Sequence, residues 1–229
     1  MYINSTWLIY LLPAFLLSIY AQARVKGAYA KYTQIANQRR LTGLDAAQRI
    51  LGPEGLYDVS VEGVPGVLSD HYDPRTKKLG LSEGVARQPS VAALAIVAHE
   101  IGHALQDHQG YAPLKLRVAI VPAVQVSAWV GPIMFFLGIF LGYTNLAWLG
   151  MILFGIGAVF ALITLPVEFN ASRRGLQLLQ KYQLTDGSEL KGAKAVLDAA
   201  ALTYVAALAQ ALATLLYYSS FLGGSRRQD

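Results

Sequence analysis

The sequence predicts a predominantly helical α+β membrane protein, with about four transmembrane helices and a small domain that contains a short antiparallel sheet. Three observations lead to this class. Of the 229 residues, 54% are hydrophobic and only 14% are charged, whereas soluble domains carry about 25% charged residues. Three long stretches contain no charged residue, and several short alternating segments precede one long helical pattern. A purely soluble protein is therefore not expected.

The charge-free stretches give the number of membrane crossings. Because a helix needs about 20 apolar residues to cross a bilayer, residues 1–23 provide one span and residues 118–167 provide two. The longer stretch divides at the short polar break 142–145, which is typical of a tight turn between antiparallel helices. The predicted organisation is an N-terminal span (1–23), a polar part (24–117), a membrane hairpin (118–167), a polar helical segment (168–198) and a C-terminal transmembrane or interfacial helix (199–222).

The basic residues indicate the orientation. Seventeen of the nineteen Lys and Arg lie in the two polar segments, which the positive-inside rule assigns to the cytoplasmic side of the cell membrane. Arg226 and Arg227 would then lie outside. The net charge of +5 thus reflects topology and the lipid bilayer as partner, and no nucleic acid is expected. Cleavage after Ala23 would instead place the polar part outside, but no Lys or Arg precedes it, which favours an uncleaved anchor.

Residue patterns predict the elements of the first polar part. A short helix is expected at 44–51. A longer amphipathic helix is expected at 89–106, with Ser90 as its N-cap. The predicted antiparallel sheet has strands at 57–64, 66–69 and 78–82, with a turn at 70–76 between the last two.

The longer helix carries the sequence His99-Glu100-Ile101-Gly102-His103. Residues four apart share one face of a helix, so His99 and His103 can bind one ion. Glu100 is offset by one residue, where it can accept the proton of a zinc-bound water and later pass it to the leaving amine. The chain has no cysteine, so a metal must use His, Asp or Glu. The alternative is a pair of core histidines bonded to the backbone.

A third ligand has to come from another part of the chain. A nearby third histidine would require Gly and His where the sequence has Gln106 and Gln109. The side chains of Asp107 and His108 do not converge with those of the two histidines on a helix. Glu168 is the better candidate, because it follows the third span directly and the membrane hairpin returns it to the metal helix. Its alternative role is that of an acidic residue at a helix start.

These motifs resemble those of the YugP-type neutral zinc metallopeptidases of bacteria, over nearly the whole chain. The similarity rests on residues 70–75, 99–103, 165–172 and 192–204. It implies a membrane-embedded gluzincin with a small zincin-like domain, in which His99, His103 and Glu168 hold zinc. The related HtpX and CAAX-prenyl proteases have Glu-x-x-x-Asp at the third ligand, and that Asp supports a metal-binding His. This chain has Ser172 at the Asp position.

The sequence also offers weaker candidates for substrate binding and oxyanion stabilisation. Arg173 and Arg174 could stabilise the oxyanion, although basic residues just past a span more often meet lipid phosphate. His71 could support the metal or bind substrate, or it could be an ordinary turn residue. The strand at 78–82 is the expected edge to which an extended peptide would add; its central residues are Leu79, Gly80 and Leu81. Three tyrosines are further oxyanion donors to consider: Tyr57, Tyr72 and Tyr204.

The leading functional hypothesis is a zinc endopeptidase that acts on protein or peptide substrates near the cytoplasmic membrane surface. Because Glu168 directly follows a span, flexible or juxtamembrane segments are the expected substrates. A catalytically silent scaffold or adaptor is the alternative, although a scaffold has no use for Glu100. A transporter is disfavoured, since the charge-free spans contain no ionisable path. The sequence leaves open a homo-oligomer or a regulatory membrane partner.

Overall fold

The computed structural model describes residues 6–225, in which the chain forms seven helices and three strands. The helices are α1 (Thr6–Thr33), α2 (Gly43–Leu51), α3 (Glu83–Arg87), α4 (Val91–His108), α5 (Ala112–Leu141), α6 (Thr144–Lys181) and α7 (Gly187–Ser225). The strands are β1 (Ser60–Val64), β2 (His71–Asp73) and β3 (Lys78–Ser82). The predicted class, mainly helical α+β, is confirmed. The predicted positions of Arg226 and Arg227 lie outside the described residues.

The chain divides into two compact units. The apolar unit comprises Leu116–Leu165 with the described residues of Met1–Gln22 and Thr203–Asp229. The polar unit comprises Ala23–Lys115 and Pro166–Leu202. Four of the described helices, α1, α5, α6 and α7, are long and apolar enough to cross a membrane. The chain is therefore a multi-pass membrane protein, as predicted.

Close helix contacts hold the apolar unit together. Helix α5 ends at Leu141 and α6 begins at Thr144, so the predicted break between the two spans is present. A Cβ on Gly138 would lie 2.3 Å from the backbone nitrogen of Ala147, so only glycine permits α5 and α6 to pack this closely. The ring of Phe135 stacks on that of Tyr218 with centroids 4.2 Å apart. Aromatic packing thus joins α7 to the α5–α6 hairpin.

The sheet of the polar unit is mixed, which corrects the predicted antiparallel arrangement. Its order is β1-β3-β2, with β1 parallel to β3 and β2 antiparallel to β3. The predicted strand at 66–69 is wrong, because Gly66 and Leu68 have φ angles of +104° and +57° that an extended strand does not accept. The strand lies instead at His71–Asp73, where a turn was expected, because Tyr72 turns its ring into the core.

The position of β3 also corrects the predicted substrate edge. Strand β3 lies at the predicted residues but in the centre of the sheet, so it has no free edge. Leu79 and Leu81 are buried in the core. The side chains of His71 and Val64 cover Gly80 from the two neighbouring strands. These residues therefore cannot receive an added strand, and the edges of the sheet are β1 and β2.

Helix α4 is the central element of the polar unit. Ser90 caps it by accepting a hydrogen bond from the N–H of Ala93, as predicted. Most of its side chains are buried against α2, α3 and the sheet, including Leu94 and Ile101. Helix α6 runs without interruption through Glu168, so the alternative of a helix-start residue there is wrong. Both helices are therefore rigid supports for the residues that they carry.

Candidate metal centre

Helix α4 and the later part of α6 approach until their backbones touch. A Cβ on Gly102 would lie 2.5 Å from the carbonyl oxygen of Ala171, and one on Gly175 would lie 2.9 Å from the backbone of Ala98. The two contacts are one helical turn apart and run in opposite directions along the chain, so the helices are antiparallel here. A larger residue at either glycine would force the helices apart.

This contact brings three ligand atoms together. Nε2 of His99 lies 3.2 Å from Oε2 of Glu168, and Nε2 of His103 lies 3.4 Å from the same oxygen. The ligand atoms of all three residues lie within 4.8 Å of one another. Glu168 is 3% exposed and the two histidine side chains are 12% and 10% exposed. In the part of the chain that the structure describes, no other such group of acidic and histidine side chains converges.

The donor set and its spacing fit a zinc ion. Two imidazole nitrogens and one carboxylate are a familiar ligand set for catalytic zinc, with bonds of about 2.0–2.2 Å. Corners of a tetrahedron of that size are about 3.3 Å apart, close to the observed 3.2 and 3.4 Å. Burial opposes protonation of His103, but the carboxylates of Glu168 and Glu100 outweigh it and its pKa is raised. The two carboxylates therefore favour a positive charge between them. A bound cation would supply that charge, as a protonated histidine does.

Each histidine has a hydrogen-bond partner behind it. Nδ1 of His99 lies 3.1 Å from Oγ of Ser172, and Nδ1 of His103 lies 3.0 Å from Oε1 of Gln106. With the proton on Nδ1, each ring presents the lone pair of Nε2 to Glu168 and to any ion bound there. Ser172 therefore supports His99 from α6, at the position where the sequence comparison raised the question of such support.

Glu100 lies beside this cluster and contacts the sheet. The backbone N–H of Tyr72 in β2 donates to Oε2 of Glu100 at 2.9 Å. Burial raises the pKa of the Glu100 carboxyl, while His99 and His103 act in the opposite direction. The carboxylate is thus oriented by the sheet and lies among the three ligand residues. A group in this position can accept a proton from a bound water.

A polar clamp holds β2 against α4. The hydroxyl of Tyr72 donates to Oδ2 of Asp107 at 2.9 Å, and Lys77 forms an ion pair with the same carboxylate. Burial and the bond to Asp107 raise the pKa of Tyr72 far above its usual range. Asp107 lies two helical turns after Glu100 on α4. The clamp therefore fixes the strand whose backbone holds Glu100.

The structure places the weaker candidates less favourably. His71 is exposed, and its Nδ1 lies 2.9 Å from the carbonyl oxygen of Ser69. Arg173 is exposed on α6. Arg174 instead donates to Oδ1 of Asn170 and Oε1 of Gln109. The three tyrosines differ: Tyr57 is 85% exposed, Tyr72 is buried with its hydroxyl on Asp107, and Tyr204 belongs to the apolar unit.

Sequence reasoning missed two kinds of residue in the site. Gln106 entered it only as evidence against a third histidine, yet it is fully buried and bonded to His103. Gly102 appeared only as one residue of the motif 99–103, although it is the point of contact with α6. The available signal was a buried-face glutamine and a glycine inside a long helix, where each is unfavourable without a partner.

Comparison with known proteins identifies a family of zinc peptidases and one similar membrane protease. The model of a family described as "Putative neutral zinc metallopeptidase" matches residues 7–223. The "Putative membrane protease YugP" of Bacillus subtilis (strain 168) is 44% identical over 209 residues, which cover 91% of this chain and 93% of that protein. No solved structure matches the chain.

The backbone contact between α4 and α6 yields a first prediction. Gly102→Ala should destabilise the fold by about 1–3 kcal/mol, because the added methyl overpacks against Ala171. The shift should also weaken metal binding, since His103 is the next residue. Thermal unfolding in detergent and titration with zinc measure the two effects. Gly27→Ala is the matched control, because nothing lies within 4 Å of its Cβ position. Equal behaviour of the two variants would contradict the prediction.

Proposed function

The chain belongs to the neutral zinc metallopeptidase family, and on this premise we propose that it is a membrane-embedded zinc endopeptidase of the gluzincin type. His99, His103 and Glu168 hold the ion, and Glu100 is the general base. The observation that carries the proposal is the convergence of three ligand atoms on one point, with a fourth residue, Glu100, oriented beside it. This arrangement has no evident use in a scaffold.

In the proposed peptide hydrolysis, the bound ion and the side chains of the protein have separate roles. Zinc, when bound, would lower the pKa of a water and polarise the carbonyl of the scissile peptide. Glu100 accepts the proton of the attacking water and transfers it to the leaving amine. The N–H of Tyr72 holds one carboxylate oxygen of Glu100, so the other remains available for this transfer. The acceptor Oε1 of Gln106 holds His103 in the Nδ1–H form, and in the same form His99 donates to Oγ of Ser172.

Strand β2 is the proposed substrate edge. It lies at the edge of the sheet and runs beside Glu100. In an antiparallel strand the N–H and C=O of one residue point to the same side, so the carbonyl of Tyr72 also faces the side of Glu100. A peptide N–H can bond to this carbonyl while the peptide lies extended along β2. Such binding requires a segment free of its own structure.

The substrate class and the side of the membrane follow from the sequence around the site. Glu168 comes directly after a fifty-residue stretch without charge, and seventeen of nineteen basic residues lie in the polar segments. We therefore place the site at the cytoplasmic face of the cell membrane. Flexible or juxtamembrane segments of membrane-associated proteins are the proposed substrates, because a folded protein cannot present an extended segment there.

The ligand assignment predicts one zinc ion per chain. Glu168→Ala should lose most of the bound zinc, since a catalytic site needs three protein ligands. Metal analysis of the purified variant, after dialysis against a weak chelator, measures this. Glu83→Ala is the control, because Glu83 is an exposed residue of α3. Full zinc occupancy in Glu168→Ala would remove Glu168 from the ligand set.

The role of Glu100 separates binding from chemistry. Glu100→Gln should retain zinc and the fold, because the amide has the same shape. It should lose peptide hydrolysis by about 100-fold to 10,000-fold, because an amide cannot accept the proton. Degradation of casein by the purified protein, with Glu83→Gln as control, tests this. Activity within tenfold of wild type would exclude Glu100 as the base, and absence of activity in the wild type would favour a scaffold.

The sidedness can be tested with single cysteines, since the chain has none. A cysteine at Thr144, the first residue of α6, should react with an impermeant maleimide in intact cells. A cysteine at Thr76, between β2 and β3, should react only after the membrane is opened. Both positions are exposed, so accessibility depends on the membrane. The reverse labelling pattern would place the site outside the cell and would contradict the proposed substrate class.

A further inference from the structure

We propose that Gln106 is a positioning residue that fixes the ring of His103 for zinc binding, through an amide in place of the usual carboxylate. The inference rests on the zinc site of the proposed function. Gln106 is fully buried in the last turns of α4, and its Oε1 lies 3.0 Å from Nδ1 of His103. Gln106 and His103 are three residues apart on α4, so the helix that carries the histidine also carries the group that orients its ring.

The orientation of the Gln106 amide is determined by its other bonds. Its Nε2 donates to the carbonyl oxygen of Val167 at 2.8 Å and to Oδ1 of Asn170 at 3.0 Å. Both of these partners are acceptors, so Nε2 must face them and Oε1 must face His103. An acceptor at that place requires the proton of His103 on Nδ1. The lone pair of Nε2 is then directed to Glu168.

The acceptor at Asn170 is itself fixed. Its Oδ1 also receives a bond of 2.7 Å from Nε of Arg174, whose guanidinium continues to Gln109. Asn170 bonds to Gln106, and Arg174 bonds to Asn170 and Gln109, so this chain of bonds acts on the site through Gln106. Val167 and Asn170 flank Glu168 on α6. One side chain therefore holds both a ligand of α4 and the helix segment that carries the third ligand.

The oxygen and the nitrogen of the Gln106 amide have different proposed roles, and two variants can separate them. The oxygen positions His103, whereas the nitrogen only links α4 to α6. Gln106→Glu retains the oxygen and loses the linking N–H groups, while Gln106→Met removes both at similar volume. If positioning dominates, the glutamate variant should bind zinc well. If the link dominates, both variants should bind zinc equally poorly.

The experiment measures zinc affinity by competition with a chromogenic chelator, in detergent, for the full chain. Gln106→Met should bind zinc about 10-fold to 100-fold more weakly than wild type, the usual cost of removing a supporting group. Gln106→Glu should recover at least about tenfold of that loss. Gln177→Met is the matched control, because Gln177 is exposed on α6. Thermal unfolding of the metal-free proteins shows whether each variant is folded.

If Gln106→Met does not fold, Gln106→Glu keeps the test decisive: zinc affinity within about tenfold of wild type supports the role of the oxygen, and a larger loss contradicts it. Ser172→Ala removes the corresponding partner of His99 from a half-buried position, and it should weaken zinc binding by a similar factor. Unchanged zinc affinity in Gln106→Met, or equal losses in Gln106→Met and Gln106→Glu, would overturn the inference. If the wild type itself binds no zinc, the proposed function fails, and that result is distinct from a failure of Gln106 alone.

Discussion

The backbone contact between α4 and α6 is the constraint on which the site depends. Side chains at both helix surfaces normally hold helix axes about 8–10 Å apart. Because Gly102 and Gly175 have no side chain, the two helices pack more closely where Ala171 and Ala98 face these glycines. The two histidines and Glu168 then meet beside this contact, with Nε2 of each histidine within 3.4 Å of Oε2 of Glu168. A motif on one helix becomes a site only because the second helix can come this close.

The sheet contributes through its edge. Strand β3 fills the centre and is covered on both sides, which gives the polar unit its core but no place for a peptide. Strand β2 has only three residues, and the clamp from Asp107 to Tyr72 holds it to α4. The same short strand therefore orients Glu100 and is an edge of the sheet. The predicted use of β3 failed because strand order in space does not follow strand order in sequence.

Local patterns predicted much of the architecture, and long-range packing accounts for what they missed. The four apolar helices follow from stretches without charge, and the cap of α4 follows from Ser90, because both depend on neighbouring residues only. The parallel pairing of β1 with β3 depends on a crossover that no local pattern encodes. The roles of Gln106 and Gly102 are visible only when α6 lies against α4. Glu168 was a candidate because it directly follows the third span, and the structure brings it beside the two histidines.

The neutral partners of the histidines have a consequence for the electrostatics of the site. A divalent ion with Glu168 and an ionised Glu100 forms a group without net charge. Carboxylates in place of Gln106 and Ser172 would still orient the rings and attract a cation, but two added negative charges in a buried place would cost folding free energy. Hydroxyl and amide partners orient the rings without that penalty. With such an ion bound, the site would be electroneutral as a whole and would need no counter-ion beside it.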